Sequence, residues 1–384
     1  MSGHSENLYL DHNATTPVLA EVLAAMLPYF GDRFGNPSSS HTFGREARAA
    51  IDTARAQVAS LLGSEADEII FTSGGTEANN LAILGAAAVR PYRHHVVTSV
   101  VEHPATARCV EKLERERSKV IRLGVDGQGR VRAGSATEAI NDETLLVTLM
   151  HANNETGAVQ PVRAAAEAAH AHGALAHTDA AQSAGKIPVR VRELGVDLCS
   201  IAGHKLYAPK GVGALYVKRG SLLGPVLLGA GHERGLRPGT ENVPSIVGLG
   251  AACAAAERDL AAERVRLREL SLRLFTAIAA TVPGLALNGP PLEGDDRLPN
   301  TVSVRFPGAL GSAVLAGAPE IAASTGAACH DGQDTASKTI VAMGVSEADA
   351  LGTVRLSLGR HTTMTVVDHA AALLTSAWRR ATSR

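Results

Sequence analysis

The sequence predicts an α/β protein built on a mainly parallel sheet, followed by a smaller α+β domain. From about residue 44 to 255, short β-branched or leucine-rich runs alternate with alanine-rich stretches of helical period; Glu68–Phe71, His95–Thr98, Leu145–Met150 and Leu198–Ile201 are examples. Such alternation implies crossover connections that lay strands parallel and helices on the sheet faces. After about residue 245 the texture changes to a long charged helix through Ala255–Thr281, strands at Thr301–Phe306 and Val354–Leu358, and a last helix near Val366–Arg380. That mixture reads as a second domain.

In chain order, Ile51, Ala54, Val58, Leu61 and Leu62 repeat at three- and four-residue intervals while Arg48, Asp52 and Arg55 take the other side, the pattern of an amphipathic helix. The strand-like Ile69–Thr72 then runs into Ser73-Gly74-Gly75-Thr76-Glu77-Ala78-Asn79-Asn80 and a helical leucine run. Glycines ahead of a helix let a phosphate approach the free N–H groups at its positive end. The plainer alternative is an ordinary turn with Thr76 as helix cap. Next, Glu102-His103-Pro104 follows an apolar run, at the edge where open α/β sheets bind ligands. Asn153 and Asn154 follow another; an amide there either holds a ligand oxygen or stabilises its own loop. The Gly-, Pro- and Asp-rich segment Asn288–Pro299 is expected to be an exposed loop.

Lys+Arg 37 against Asp+Glu 38 leaves a net charge of −1, and no run of like charges occurs. Neither nucleic acid nor an anionic membrane is an implied partner. The four cysteines, at 109, 199, 253 and 329, show no CxxC or paired spacing, so neither a zinc site nor a disulfide framework is expected. Reduced thiols, no recognisable signal segment and no apolar span of membrane length give a cytoplasmic protein as the expectation.

Lysines are scarce, 7 against 30 arginines, and one of them ends the run Ser200-Ile-Ala-Gly-His204-Lys205. Upstream, His177-Thr178-Asp179-Ala180-Ala181-Gln182 places a carboxylate just past an apolar stretch. A lysine able to form a Schiff base and an aspartate able to hold a pyridinium nitrogen, about one βα unit apart, point to pyridoxal 5′-phosphate (PLP) as cofactor.

Together these segments resemble the cysteine desulfurases and selenocysteine lyases of the class V aminotransferase group. The resemblance runs in order through Tyr9–Pro17, Gly35-Asn36-Pro37, Phe71–Asn80, Glu102-His103, Asn153–Glu155, Asp179–Gln182, Gly203-His204-Lys205, Gly231–Thr240, Ser324–Cys329 and Arg355–Arg360. It implies the type I aspartate aminotransferase fold, with a seven-stranded sheet, a large PLP domain over 14–255 and a small domain over 256–384 joined by residues 1–13. It further implies that Lys205 carries the cofactor, Asp179 holds the ring nitrogen, Gln182 bonds the ring oxygen, and His103 stacks on the ring and assists proton transfer. Gly75, Thr76, His204 and Thr240 look like phosphate ligands, the last reaching in from a second subunit, which implies a homodimer; Asn154 faces cofactor and substrate. One departure stands out: Ala202 occupies the place of the family's serine, and Ser200 shares its face two residues earlier.

For the reaction, Cys329 in Ala323-Ser324-Thr325-Gly326-Ala327-Ala328-Cys329-His330 matches the family's persulfide-forming cysteine, while Cys199, Cys253 and Cys109 read as structural thiols. Arg355, opposite the apolar face of its strand, offers a planar fork for an amino acid's α-carboxylate, with Arg360 as the alternative. The resemblance implies conversion of L-cysteine to L-alanine, with transfer of sulfur to Cys329 and onward to an acceptor protein or a reductant. The loop Ala-Ala-Cys329-His330-Asp331 looks more like that of the mammalian selenocysteine lyase, so L-selenocysteine is the rival substrate. An aminotransferase or racemase would keep Lys205 and Asp179 without using Cys329, and a sulfur-relay scaffold would keep only the fold.

Overall fold

A computed structural model of the chain describes residues 8–325, 328–330 and 333–383, without the side chains of residues 133, 328–330, 333 and 334. After a short β1 (Leu8–Tyr9), the alternating runs form β2 (Ile69–Thr72), β3 (His95–Ser99), β4 (Lys119–Leu123), β5 (Thr144–Met150), β6 (Leu175–Asp179), β7 (Leu198–Ala202) and β8 (Gly213–Val217). These seven lie in the order β2-β8-β7-β6-β5-β3-β4. β8 is antiparallel to both its neighbours and the remaining pairs are parallel. The reason is length: residues 203–212 between β7 and β8 hold only a single tight turn, Gly203–Lys205. A parallel return needs a crossover of about a dozen residues or more.

Helices cover both faces of this sheet. Side chains alternate along a strand, so Val96 and Val97 of β3 enter opposite cores, as do Leu215 and Tyr216 of β8. One core is closed by helix Thr42–Leu62, where Ile51, Ala54, Val58, Leu61 and Leu62 are buried as their spacing predicts. The other is closed by Gly75–Val89 and Pro104–Arg115.

The long helix runs over Val243–Ala279 and starts well before the expected Ala255. Asn242 caps it by accepting from Ser245 N at 3.2 Å. Its first third is rich in glycine and alanine because it packs tightly: a Cβ on Gly250 would stand 2.6 Å from Ala54 Cα, and one on Gly248 would stand 2.6 Å from Met26 Sδ. Val243, Ile246, Leu249, Cys253 and Ala256 belong to the large core. Leu267, Leu270, Leu274 and Ile278 belong to a second one.

That second core lies under a sheet of β9 (Ala286–Leu287), β10 (Thr301–Arg305), β12 (Ser324–Thr325) and β15 (Thr353–Ser357), ordered β12-β15-β10-β9. The intervening β11 (Ile321–Ala322) pairs in parallel with β1, and Leu10 is buried in this core. β13 (Ala328–His330) and β14 (Gln333–Thr335) form an antiparallel pair in which Cys329 stands opposite Asp334. The final helix spans Met364–Thr382.

Asn288–Pro299 is the expected loop, with Pro291, Glu293, Asp295 and Asp296 exposed, but it is anchored at both ends. Asn288, Leu292, Arg297 and Leu298 are buried. Arg297 gathers the chain around it, donating from Nε to Thr301 O at 2.9 Å and from Nη1 to Asn288 O at 2.8 Å and Pro290 O at 2.6 Å. Glycine and proline here shape a loop whose ends wrap one buried cation while its middle stays solvated. Among the described residues, no helix is long and apolar enough to cross a membrane.

Candidate active site

Every motif singled out on the main sheet falls at the carboxyl ends of its parallel strands. Gly75 and Thr76 follow β2, His103 follows β3, Asn154 follows β5, Asp179 closes β6, and His204 and Lys205 follow β7. The ends of parallel strands with helices on both sides form the crevice in which such sheets bind ligands. All these residues, with Gln182, Asn13, Asn79 and Arg355, line one cavity of about 320 Å³. That volume lies within the range of small-molecule sites, about 300–1,000 Å³.

Lys205 Nζ donates to the main-chain carbonyls of Asn13 and Ala14, the latter at 2.9 Å. Burial lowers its pKa to about 8, helped by Arg355 and opposed by Asp11 and Asp179. Asp179 is buried; its Oδ2 accepts Asn79 Nδ2 at 2.7 Å and its Oδ1 accepts Ala181 N at 2.9 Å. Each oxygen keeps a lone pair for a ligand N–H.

His103 Nδ1 accepts Ala105 N at 3.1 Å and so caps the helix that starts at Pro104. An amide N–H only donates, so in the neutral ring the proton sits on Nε2. Burial lowers the His103 pKa, with Asp179 opposing and Lys205 assisting. His204 is pulled down to about 4 by burial, then by Lys205, Lys210 and His103. Both imidazoles are therefore neutral at pH 7. Beside them, burial raises Glu102 to about 8 even though its Oε1 accepts Ser99 Oγ at 2.7 Å and Met150 N at 3.0 Å.

The two amides after β5 divide the roles left open by the sequence. Asn153 Oδ1 accepts the N–H groups of Glu155 and Thr156, each at 2.9 Å, and holds the loop. Asn154 lines the cavity, and its carbonyl accepts Arg355 Nη1 at 3.2 Å. Arg355 is buried, with Nη2 on Asp11 Oδ1 at 2.7 Å and its Nε without a partner. Arg360 points elsewhere, bound to Asp259 at 2.6 Å and set over the Tyr207 ring.

Ala202 also lines the cavity, its Cβ 3.2 Å from where a Cβ on Gly75 would stand. Ser200 does not stand in for the absent serine hydroxyl. It is fully buried and bonded to His177 Nε2 at 3.0 Å, while His177 Nδ1 meets Thr148 Oγ1 at 2.8 Å. Thr240 is exposed and lines no part of this cavity. The Cys329 side chain lies outside the described residues. Cys109, Cys199 and Cys253 are buried, and burial raises all three thiols, Cys109 to about 11. None is a ready thiolate.

The sequence reading did not single out Asn79 or Asn13 as site residues. Asn79 stands one turn beyond Gly75 on its helix, and that spacing was the available signal. The cavity fits a pyridoxal phosphate. A carboxylate with free lone pairs faces an amine on a deep lysine, and the first amides of a fifteen-residue helix open beside Thr76 and His204.

Comparison with known proteins agrees. The family model described as Aminotransferase class-V matches residues 8–369. A protein named cysteine desulfurase 2 from Trichormus variabilis is 43% identical over 369 residues, covering 96% of this chain and 92% of its own. The solved structure of a NifS-like protein superposes with a TM-score of 0.88 at 35% identity, covering 97% of this chain and 98% of its own. That of SspA in complex with cysteine gives a TM-score of 0.80 at 37% identity, covering 92% and 99%.

Proposed function

The chain belongs to the aminotransferase class-V family, and on that premise we propose that it is a PLP-dependent cysteine desulfurase, converting L-cysteine to L-alanine with transfer of sulfur to Cys329. The observation that carries this reading is the convergence of Lys205, Asp179, His103 and Arg355 on one cavity. The cofactor supplies an aldehyde for the lysine and an electron-withdrawing ring that stabilises negative charge at the substrate Cα.

The chain's own residues do the rest. Asp179, fixed by Asn79 and Ala181 N, would hold the ring nitrogen's proton. Gly75, Thr76 and His204 would hold the phosphate at the helix N-terminus, and Gln182 and Asn154 would meet the ring and the substrate. Arg355, on the cavity wall, offers its guanidinium to the substrate carboxylate. Lys205 would move the Cα proton; an amine with a pKa of about 8 works as a base near neutral pH. His103 carries its transferable proton on Nε2. The Cys329 thiolate would then attack the substrate sulfur: the C–S bond breaks with its electron pair passing to the substrate Cβ, which takes up a proton, an S–S bond forms, and alanine leaves a persulfide on the enzyme.

Three further features belong to this proposal. The enzyme works as a homodimer in which Thr240 meets the phosphate of the partner's site. Supporting this, Thr240 is exposed and stands outside this chain's own cavity, so it is available to a second copy. The persulfide passes to an acceptor protein or a reductant, and the compartment is the cytoplasm, where thiols stay reduced.

The test is anaerobic alanine production from L-cysteine and L-selenocysteine, side by side, for wild type and Cys329→Ala. Activity on cysteine that disappears in the variant is expected. Activity confined to selenocysteine would make the enzyme a selenocysteine lyase, and no alanine from either substrate would overturn both assignments.

A further inference from the structure

Lys186 is buried behind the cavity, and no carboxylate pairs with it among its described contacts. Its Nζ donates to Gln182 Oε1 and to Asn13 Oδ1, each at 3.0 Å. Such a lysine is costly to bury, so its contacts should have a use beyond packing. The use is legible in Gln182. The other end of that amide, Nε2, donates at 2.9 Å to the carbonyl of Asn13.

One neighbour fixes the orientation and the other uses it. A carbonyl only accepts, so the atom facing Asn13 is the amide nitrogen and the atom facing Lys186 is the amide oxygen, to which Lys186 donates; burial, then Lys205 and Arg355, hold the Lys186 pKa well below the ordinary lysine value. With the oxygen engaged, what Gln182 has left to offer the cavity is the second N–H of Nε2. The Asn13 carbonyl also receives Lys205 Nζ, so the amide and the cofactor-bearing lysine share one anchor.

We propose that Lys186 is a positioning residue for the cofactor: by holding Gln182 Oε1 it turns the Gln182 N–H toward the ring oxygen and so sets the proton affinity of the Lys205–cofactor linkage. The inference rests on the cofactor reading above. An N–H aimed at the ring oxygen stabilises its negative charge, which lowers the affinity of that oxygen and the adjoining Lys205 nitrogen for their shared proton. Removing the donor raises that affinity. Other charges facing Lys205, namely Arg355, Asp11 and Asp179, are unchanged by a substitution at Lys186, as are His103 and His204; the direct field between Lys186 and Lys205 is the same with or without Gln182, so the double variant separates it from the route through the amide.

The experiment is a pH titration of the visible absorbance of the cofactor-loaded protein for wild type, Lys186→Met, Gln182→Met and the double variant. Lys186→Met should move the midpoint upward by about 0.5 pH unit or more, a factor of about three in the proton equilibrium. The double variant should move no further than Gln182→Met alone, since one residue acts through the other. If Lys186→Met yields no soluble protein, Lys186→Ser, which cannot reach Gln182 and admits water, takes its place with the same expectation. An unmoved midpoint, or shifts that add in full, would overturn the inference while leaving the cofactor reading intact. A wild-type protein that takes up no cofactor would overturn both.

Discussion

Asp11 Oδ1 lies 2.7 Å from Arg355 Nη2, while Asp11 Oδ2 accepts Ser324 Oγ at 2.9 Å. One carboxylate thus ties the arginine fork to the strand segment that leads toward Cys329. The pair is well shielded, with side-chain exposures of 10% and 18%, so the arginine is held rather than searching. Breaking one side of such a pair leaves the other charge uncompensated. Asp11→Ala should raise KM for L-cysteine about tenfold, about 1.4 kcal/mol, with a smaller change in kcat. Steady-state kinetics on both parameters checks it; an unchanged KM would mean that Arg355 needs no anchor.

Lys205 meets the cofactor as a free amine, and only the unprotonated amine reacts. Because its pKa is lowered to about 8, the reactive fraction should rise through that pH rather than near 10.5. The rate of cofactor uptake by the cofactor-free protein, followed by absorbance at constant ionic strength, should climb with pH to a midpoint close to 8. A midpoint above 9.5 would show that burial does not tune this lysine.

Glu102 gives a stability signature of opposite sense. Burial raises its carboxyl from 4.5 to about 8, so between these values the folded chain holds a proton that the unfolded chain has released. Its contribution to stability is complete below about pH 4.5 and is lost as pH rises toward 8, with a slope of up to about 1.4 kcal/mol per pH unit. Glu102→Gln removes that titration. Relative to wild type, the cofactor-free variant should gain stability from pH 5 to pH 8, measured by urea unfolding; parallel curves across that span would place the carboxylate as ionised throughout.

Ala202 supplies the fourth expectation. Its methyl group lines the cavity beside Gly75, and Ser200 is committed to His177. Ala202→Ser therefore adds a hydroxyl near the helix N-terminus without disturbing a buried network. A hydrogen bond to a charged group is worth about 1.5–3 kcal/mol, so the cofactor dissociation constant should fall about tenfold or more. Equilibrium titration of the cofactor-free protein decides this; equal affinities would mean that a hydroxyl at position 202 does not reach the phosphate.

What the sequence could reveal follows from how local each signal is. The strand ends, the glycine turn, His103, Asp179 and Lys205 were legible because each is announced by its own few residues, and the sheet then assembles them by topology alone. Arg355 was legible from strand alternation, but the choice over Arg360 depended on Asp11 and Asp259, which stand 344 and 101 residues away from their arginines. Lys186 looked like one more lysine because its partners, Asn13 and Gln182, are recognisable only when the N-terminal segment is laid across the cavity. Asn288–Pro299 was legible as a loop, but its buried ends were not, for a related reason. Its composition is that of a turn, and what buries its ends is the contact with Arg297, which composition does not display. The antiparallel β8 was hidden in a connection too short for a helix, a constraint legible only once the strand ends are known.

The helix over Val243–Ala279 enters the large core at one end and the second core at the other, as a single rod about 55 Å long. A shared girder of this kind transmits load. Any widening of the cavity between Lys205 on one side and Arg355 on the other must bend the rod or strip one of its leucine contacts, and both cost free energy. The shared helix therefore couples the two cores, and a single calorimetric unfolding transition is expected; two resolved transitions would show that the cores melt separately.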